Sequence, residues 1–340
     1  MHGTFTILGL DFPAYFTMLM AGYTAVILLG HRDWLARGRR NNLILDLGII
    51  LIIAGLLGAR LMHVVADGQF NDYVNLCVDP MKVEGEPLPG DRKCVKDQQC
   101  VDARRGQVCK ADTGLCHQKR DCLRALKFWY GGLTFYGGLG LAALVGIVYI
   151  KRRRQPLWEV GDLAGFAIPL GLVFGRVGCF LAGCCFGTTC ATPPGLAFPK
   201  GSPAWKLHVD QGLIAKSAAE SLPVHPTQLY EAAACLLIFL WLYFFVRPRK
   251  RFSGQLFFLF CMAYAVARFA IEFLRADQRG EILGLSTSQT LGIPLFLFGL
   301  VMYIVYRRKG IDTTGLEAPV EAHPAVDEAD RAGQEDDGNG

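Results

Sequence analysis

Apolar residues in this chain fall into blocks of about twenty separated by polar connections. A block of that length is what an α-helix needs to cross the ~30 Å hydrocarbon core of a bilayer. The pattern predicts seven transmembrane helices, over residues 12–30, 43–65, 130–150, 164–186, 227–246, 255–275 and 287–306. Two longer polar stretches interrupt the alternation, residues 66–127 and 187–223; the second is rich in Pro, Gly and Lys and is expected to cover the mouth of the helix bundle. The last stretch, 310–340, is acidic and rich in Gly and Ala without apolar periodicity, which predicts a disordered tail, and no function is assigned to it.

Composition agrees with the pattern: 52% of the residues are hydrophobic and 19% charged, the balance of a polytopic membrane protein. Arg and Lys gather in every second short connection, at Arg32, Arg37, Arg39 and Arg40, at Lys151 to Arg154, at Arg247, Arg249, Lys250 and Arg251, and at Arg307, Arg308 and Lys309. Positive loops stay on the cytoplasmic side. The N-terminus is therefore predicted to be periplasmic and the C-terminus cytoplasmic. No Lys or Arg precedes the first span, so it lacks the charged leading region of a cleaved signal peptide. The formal net charge of +5 follows from this topology and calls for no nucleic-acid partner, since no aromatic residues interleave with the basic ones.

Six of the twelve cysteines, Cys77, Cys94, Cys100, Cys109, Cys116 and Cys122, lie in the 66–127 insertion on the predicted outer side. An even number of closely spaced cysteines in a segment too short for its own core predicts a disulfide framework, with fifteen possible pairings. Zinc is the competing reading, but no paired C-x-x-C occurs there. The insertion is read as a clamp on its own loop, with partner docking as the alternative. The predicted fold is thus an all-α integral membrane protein of seven transmembrane helices with a disulfide-rich extracytoplasmic insertion.

One arginine stands out against this background. Arg176 is the only charge in the run 164–187, and an arginine near the middle of a membrane helix costs roughly 2.5–3.5 kcal/mol on insertion scales, so it normally faces a polar cavity and has a partner. Arg268 and Glu272 repeat the signal four residues apart, on a helix face shared with Tyr264. A guanidinium is always charged and its planar fork fits a phosphodiester, which points to a phospholipid headgroup. The third span opens Gly131, Gly132, Leu133, Thr134, Phe135, Tyr136, Gly137, Gly138; such small residues serve close helix packing, yet the Tyr136 hydroxyl among them can also meet a ligand. Pro226 fits the first turn of a helix and leaves His225 at its N-cap, where exposed amides favour anions.

Together these residues resemble the prolipoprotein diacylglyceryl transferases of bacteria. The resemblance runs through Tyr15, Gly58 to Arg60, the Gly-rich opening of the third span, Asp162 with Pro169, the G-R-x-G motif at Arg176, the H-P-x-Q-L-Y-E run at His225 to Glu231, the R-x-x-x-E-F-x-R run at Arg268 to Arg275, and Ser288 with Gln289. It implies an inner-membrane enzyme, with residues 1–309 as the transferase domain. That enzyme moves the diacylglyceryl group of phosphatidylglycerol to the lipobox cysteine of a preprolipoprotein signal peptide and releases glycerol phosphate; membrane lipid is then a partner and no cofactor is required. On that reading Arg176 and Arg268 neutralise the phosphate, Glu272 holds Arg268, and Tyr15, Tyr136 and Tyr264 donate hydrogen bonds around the headgroup. Arg60, His225, Glu231, Cys179 and Cys184 complete the substrate-binding set.

Three positions depart from the family pattern. A histidine proposed as base is Tyr136 here, and tyrosine, titrating near 10, is a poor base at neutral pH. An asparagine is Cys179 and a glutamate is Cys184; Glu231 is the nearest acid to replace the lost carboxylate. The thiols Cys179, Cys184, Cys185 and Cys190 leave several readings open: packing, a disulfide from Cys184 or Cys185 to Cys190, or a metal or redox site. Cys235 and Cys261 read as core. Three functions remain in play: the transferase with a remodelled site, a related transferase with a different lipid or acceptor, and a non-catalytic interaction protein recruiting a partner through the insertion.

Overall fold

The computed structural model of the protein describes residues 4–7, 10–39, 41–66, 70–88, 93–100, 106–127, 132–276, 281–282 and 284–309. The predicted tail 310–340, Arg40, and the predicted opening of the third span at Tyr130 and Gly131 lie outside the described residues. After a β1–β2 hairpin (Thr4–Ile7, Leu10–Pro13) come α1 (Ala14–Ala36), α2 (Leu43–Ala66) and the short α3 (Phe70–Val78). A β3–β4 hairpin follows (Val108–Lys110, Leu115–His117), then α4 (Phe135–Arg152), α5 (Leu157–Ala182) and the short α6 (Pro203–Asp210). The chain closes with α7 (Thr227–Leu240), α8 (Gln255–Glu272), the two-residue strands β5 (Glu281–Ile282) and β6 (Leu285–Ser286), and α9 (Thr287–Lys309). Seven helices among the described residues are long and apolar enough to cross a membrane: α1, α2, α4, α5, α7 with its continuation to Arg249, α8 and α9. Their outward faces carry exposed Ile49, Ile53, Leu57, Leu237, Phe245 and Val266, side chains that belong against lipid.

The ends of several spans differ from the hydropathy reading, and backbone conformation explains the largest shifts. The fourth span, α5, covers Leu157–Ala182 instead of 164–186. Gly183 and Cys185 adopt φ of 72° and 63°, which no right-handed helix can contain, so Cys184, Cys185 and Phe186 form an apolar turn and not a last helical turn. The third span, α4, begins at Phe135, after Gly132 at φ 72°. In the fifth span α7 passes at Leu240 into a π-helical stretch, Trp241–Val246, and a 3₁₀ turn, Arg247–Arg249.

The chain divides into two compact units, residues 27–157 and residues 1–26 with 158–340. In the first, α2 and α4 pack through glycines: a Cβ on Gly58 would collide with the Gly137 carbonyl and Leu141, and one on Gly137 with Met62 and the Gly58 carbonyl. The insertion hangs from this pair. Its disulfides are Cys77–Cys122, Cys94–Cys109 and Cys100–Cys116, and its small interior is Cys94, Cys100 and Cys116 packed by Leu88 and Cys109. The disulfide framework expected from the cysteine count is therefore present.

In the second unit Gly22 packs on Phe174, and Gly178 of the G-R-x-G motif lies 3.3 Å, at its would-be Cβ, from Tyr15 and Met18, which brings the start of α1 onto α5. Gly165 meets the first turn of α8 at Leu256 and Phe257. The buried Asp162 beside it accepts a hydrogen bond from the Leu256 amide (2.8 Å) and pairs with Lys250 (3.1 Å), capping α8 from within α5. Residues 183–226 fold back over the end of α5 with their own small core of Phe186, Phe198, Ala204 and Val224, joined by Phe180, Leu207 and Ala276.

Candidate active site

Glu231 is the centre of the site. It stands one helical turn inside α7, its side chain 2% exposed, and three guanidinium groups converge on it. Arg176 from α5 reaches Oε1 at 2.9 Å, Arg268 from α8 reaches Oε2 at 3.2 Å, and Arg275, just beyond α8, comes to 4.0 Å of Oε2. Tyr264 donates its hydroxyl to Oε1 at 3.0 Å. Glu272 binds Arg268 at 2.7 Å, the i,i+4 pair expected from the sequence, and lies 3.9 Å from the Nε of Arg275. Arg268 also donates to the Ser288 hydroxyl at the start of α9 (3.0 Å).

Tyr264, Arg268 and Glu272 recur every fourth residue, so α8 presents all three on one side, with Arg275 just past its end. Among the described residues, three guanidinium groups and two carboxylates gather where α5, α7 and α8 meet. A buried ion pair is a weak source of stability, because desolvation offsets its attraction. Arginines drawn together inside a membrane protein are better understood as a site for an anion.

The H-P-x-Q-L-Y-E run has a mechanical explanation. Thr227 donates its hydroxyl to the Cys185 carbonyl (2.8 Å), and Gln228 its amide to the Cys184 carbonyl (2.7 Å), so the first turn of α7 holds the left-handed turn after α5. Glu231, one turn on, then meets Arg176. Pro226 itself is the N-cap residue and His225 precedes it, one position earlier than expected; the His225 ring nitrogen Nδ1 lies 3.2 Å from the Tyr230 hydroxyl. The His225 backbone pairs with Thr188 and with Gly187, whose next neighbour is the Leu274–Arg275 backbone. A Cβ on Gly187 would strike the Leu274 carbonyl and come within 2.7 Å of the His225 Cβ. The loop, the end of α8 and the entry to α7 are thus locked together at a glycine.

Tyr15 packs on Gly178 within electrostatic reach of Arg176, Cys179, Cys184 and Cys185. None of the four cysteines at this end forms a disulfide, so the bridge to Cys190 considered from the sequence is not made: Cys184 points its thiol back to the Cys179 carbonyl (3.6 Å), and Cys190 points to the Thr192 carbonyl (3.1 Å). Cys235 and Cys261 are buried in α7 and α8.

Two proposed site residues belong to the 27–157 unit. Arg60 spends its donors on backbone carbonyls of Ala125 (2.7 Å), Arg124 (2.7 Å) and Gly132 (3.0 Å), bracing the return of the insertion, with Tyr73 under its guanidinium. Tyr136 is half-exposed in the first turn of α4, edge-on to Phe135. The residues that sequence reasoning left without a role are Arg275 and Ser288; the i,i+4,i+7 spacing of Arg268, Glu272 and Arg275 was the available signal for the first.

A profile of the family described as prolipoprotein diacylglyceryl transferase matches residues 101–305, more than half of the chain. The chain belongs to that family. Members similar to it include phosphatidylglycerol–prolipoprotein diacylglyceryl transferases of Clostridium tetani, 26% identical over 89% of this chain and 96% of that protein, and of Rhodococcus jostii, 28% identical over 92% of this chain and 73% of that protein. The Rhodospirillum rubrum enzyme of the same name is 35% identical over 53% of this chain and 62% of that protein. The family's matched region holds all of α4, α5, α7 and α8, and with them the whole Glu231 cluster.

Proposed function

We propose that this protein transfers the diacylglyceryl group of phosphatidylglycerol to the cysteine thiol of prolipoproteins, the reaction named for its relatives. The observation that carries this reading is the convergence of Arg176, Arg268 and Arg275 on Glu231. In the reaction the acceptor thiol gives up its proton, its sulfur bonds the glycerol carbon, and the carbon–oxygen bond to phosphate breaks, so glycerol phosphate leaves with the electron pair. Charge grows on the departing phosphate in a water-poor place, where pre-set cations are most effective.

Arg176 and Arg268 are the groups assigned to the phosphate, and Arg275 adds the third positive charge. Glu231 and Glu272 position the guanidinium groups instead of reacting. Tyr15 and Tyr264 supply hydroxyl donors near them, with His225 as a further headgroup or peptide contact. The acceptor cysteine enters on its signal peptide from the periplasmic side of the inner membrane, with the N-terminus outside and the C-terminus in the cytoplasm. The alternating basic loops support this orientation.

The test is purified protein in phosphatidylglycerol vesicles with a lipobox peptide, read by mass for the thioether product. Wild type gives product; Arg176→Ala and Arg268→Ala lower the rate by about 100-fold or more with the fold intact by circular dichroism. Wild type that yields no thioether overturns the proposal, as does full activity in both variants.

A further inference from the structure

The phosphate chemistry above leaves a second group of side chains unused. Cys179, Cys184 and Cys185 bring their three sulfur atoms within 4.8 Å of one another. Packing does not require such convergence: Cys235 and Cys261 show what packing thiols look like here, each buried alone in a helix. Covalent bracing is not its purpose either, because the chain forms three disulfides elsewhere and leaves these thiols unbridged.

The backbone that gathers them is held from several directions. Cys179 is fixed in the last turn of α5. Cys185 sits at φ 63°, a left-handed conformation that costs a non-glycine residue about 1–3 kcal/mol and persists only when its surroundings impose it. The Thr227 and Gln228 hydrogen bonds to the 184 and 185 carbonyls impose it here. Positive charge is close at hand, with Arg275 against the Cys185 sulfur and Arg176 near Cys179 and Cys185.

From this geometry we infer that Cys179, Cys184 and Cys185 form a three-thiolate site for a thiophilic d10 cation, zinc(II) or copper(I). Thiolate ligands select these ions. Zinc–sulfur bonds of about 2.3 Å place the sulfur atoms of a tetrahedral site about 3.8 Å apart, inside the 4.8 Å that encloses the three here. The neighbouring guanidinium groups offset the negative charge of three thiolates.

Three protein ligands leave a fourth position open, the pattern of catalytic rather than structural zinc. Resting on the transferase reading, that position takes the acceptor cysteine. Coordination replaces its S–H bond by a sulfur–metal bond and passes the proton to water. The held sulfur then bonds the glycerol carbon as the phosphate leaves. Deprotonation by a metal supplies what Tyr136, a weak base, does not.

The experiment uses full-length protein with its three disulfides intact, stripped by a chelator without added reductant and kept free of oxygen, then given zinc(II) alone or copper(I) alone in separate arms before desalting and metal counting. Retention of about one ion per chain in either arm is expected for wild type and for Cys190→Ser. The variants Cys179→Ser, Cys184→Ser and Cys185→Ser should bind more weakly by more than the roughly 10–100-fold that loss of an outer-sphere partner costs. Because serine can also unsettle the turn, wild type is footprinted as well: the bound ion should shield Cys179, Cys184 and Cys185 from alkylation and leave Cys190 labelled. Retention in neither arm, equal loss in Cys190→Ser, undiminished retention in the three serine variants, or a Cys179–Cys184 disulfide in protein isolated from cells overturns the site. Thioether formation measured on the same samples separates the two ideas, since metal bound without transfer removes only the function, and transfer by metal-free protein removes only the site's catalytic part.

Discussion

In the insertion of residues 70–127 every cysteine is disulfide-bonded, and the interior is built largely of cystine: Cys94, Cys100 and Cys116 around Leu88 and Cys109. In residues 183–226 no cysteine is disulfide-bonded, and the interior is Phe186, Phe198, Ala204 and Val224. Both segments are polar and loop-rich, yet the first is tied by covalent bonds and the second by hydrogen bonds to the ends of α7 and α8. A segment that hangs beyond its helices has too little apolar area to hold itself and needs crosslinks. A segment laid across a charged site borrows stability from the helices beneath it, and its thiols stay unbridged.

Gly187→Ala tests that contrast most severely. The new methyl group meets the Leu274 carbonyl, a backbone atom that cannot swing aside, so the loop must leave the end of α8. We expect transfer to fall about 100-fold, the cost of misplacing a site by about an ångström, with the insertion's disulfides unchanged on peptide mapping. Removing the Cys94–Cys109 bridge, which closes a 15-residue separation, should cost the insertion about 3 kcal/mol. Limited proteolysis should then cut within 93–110 while thioether formation stays within about threefold; a larger loss would mean that the insertion takes part in catalysis.

Thr227→Val removes the hydroxyl that holds the Cys185 carbonyl and should cost about 1 kcal/mol, measured as faster hydrogen exchange at 184–188. The smallest effect concerns His208, buried in α6, where its Nδ1 accepts a hydrogen bond from the Leu222 amide at 3.2 Å. Burial pushes its pKa below the usual 6.5, so the unfolded segment takes up a proton more readily than the folded one. Its contribution is complete above that value and is lost as the pH falls below it. Exchange protection of residues 205–222 should therefore decline between about pH 7 and pH 5, and His208→Gln should flatten the change.

The candidate site was partly legible in the chain. Arg176 was visible as the lone charge in a twenty-residue apolar run, and Arg268 with Glu272 as a charge pair at helical spacing inside another. Glu231 was visible only as the nearest acid; that it gathers Arg176, Arg268, Arg275 and Tyr264 depends on α5, α7 and α8 meeting at one level. Cys184 was placed on a helix because its neighbours are apolar, and hydropathy does not distinguish a helical turn from an apolar left-handed one. His225 was one position off for the same reason, since caps depend on dihedral angles that composition does not encode.

By itself the sequence determined the seven membrane helices and the crosslinked insertion. Backbone groups in lipid can be satisfied only within a helix, and six clustered cysteines in a small polar segment have few other uses. Tertiary structure alone decided which carboxylate the arginines share, which cysteines pair, and that three of the remaining thiols converge. The shared carboxylate and the thiol cluster depend on α7 docking against the end of α5, and the cystine pairs on the folding of the insertion; no local period of hydrophobicity carries that information.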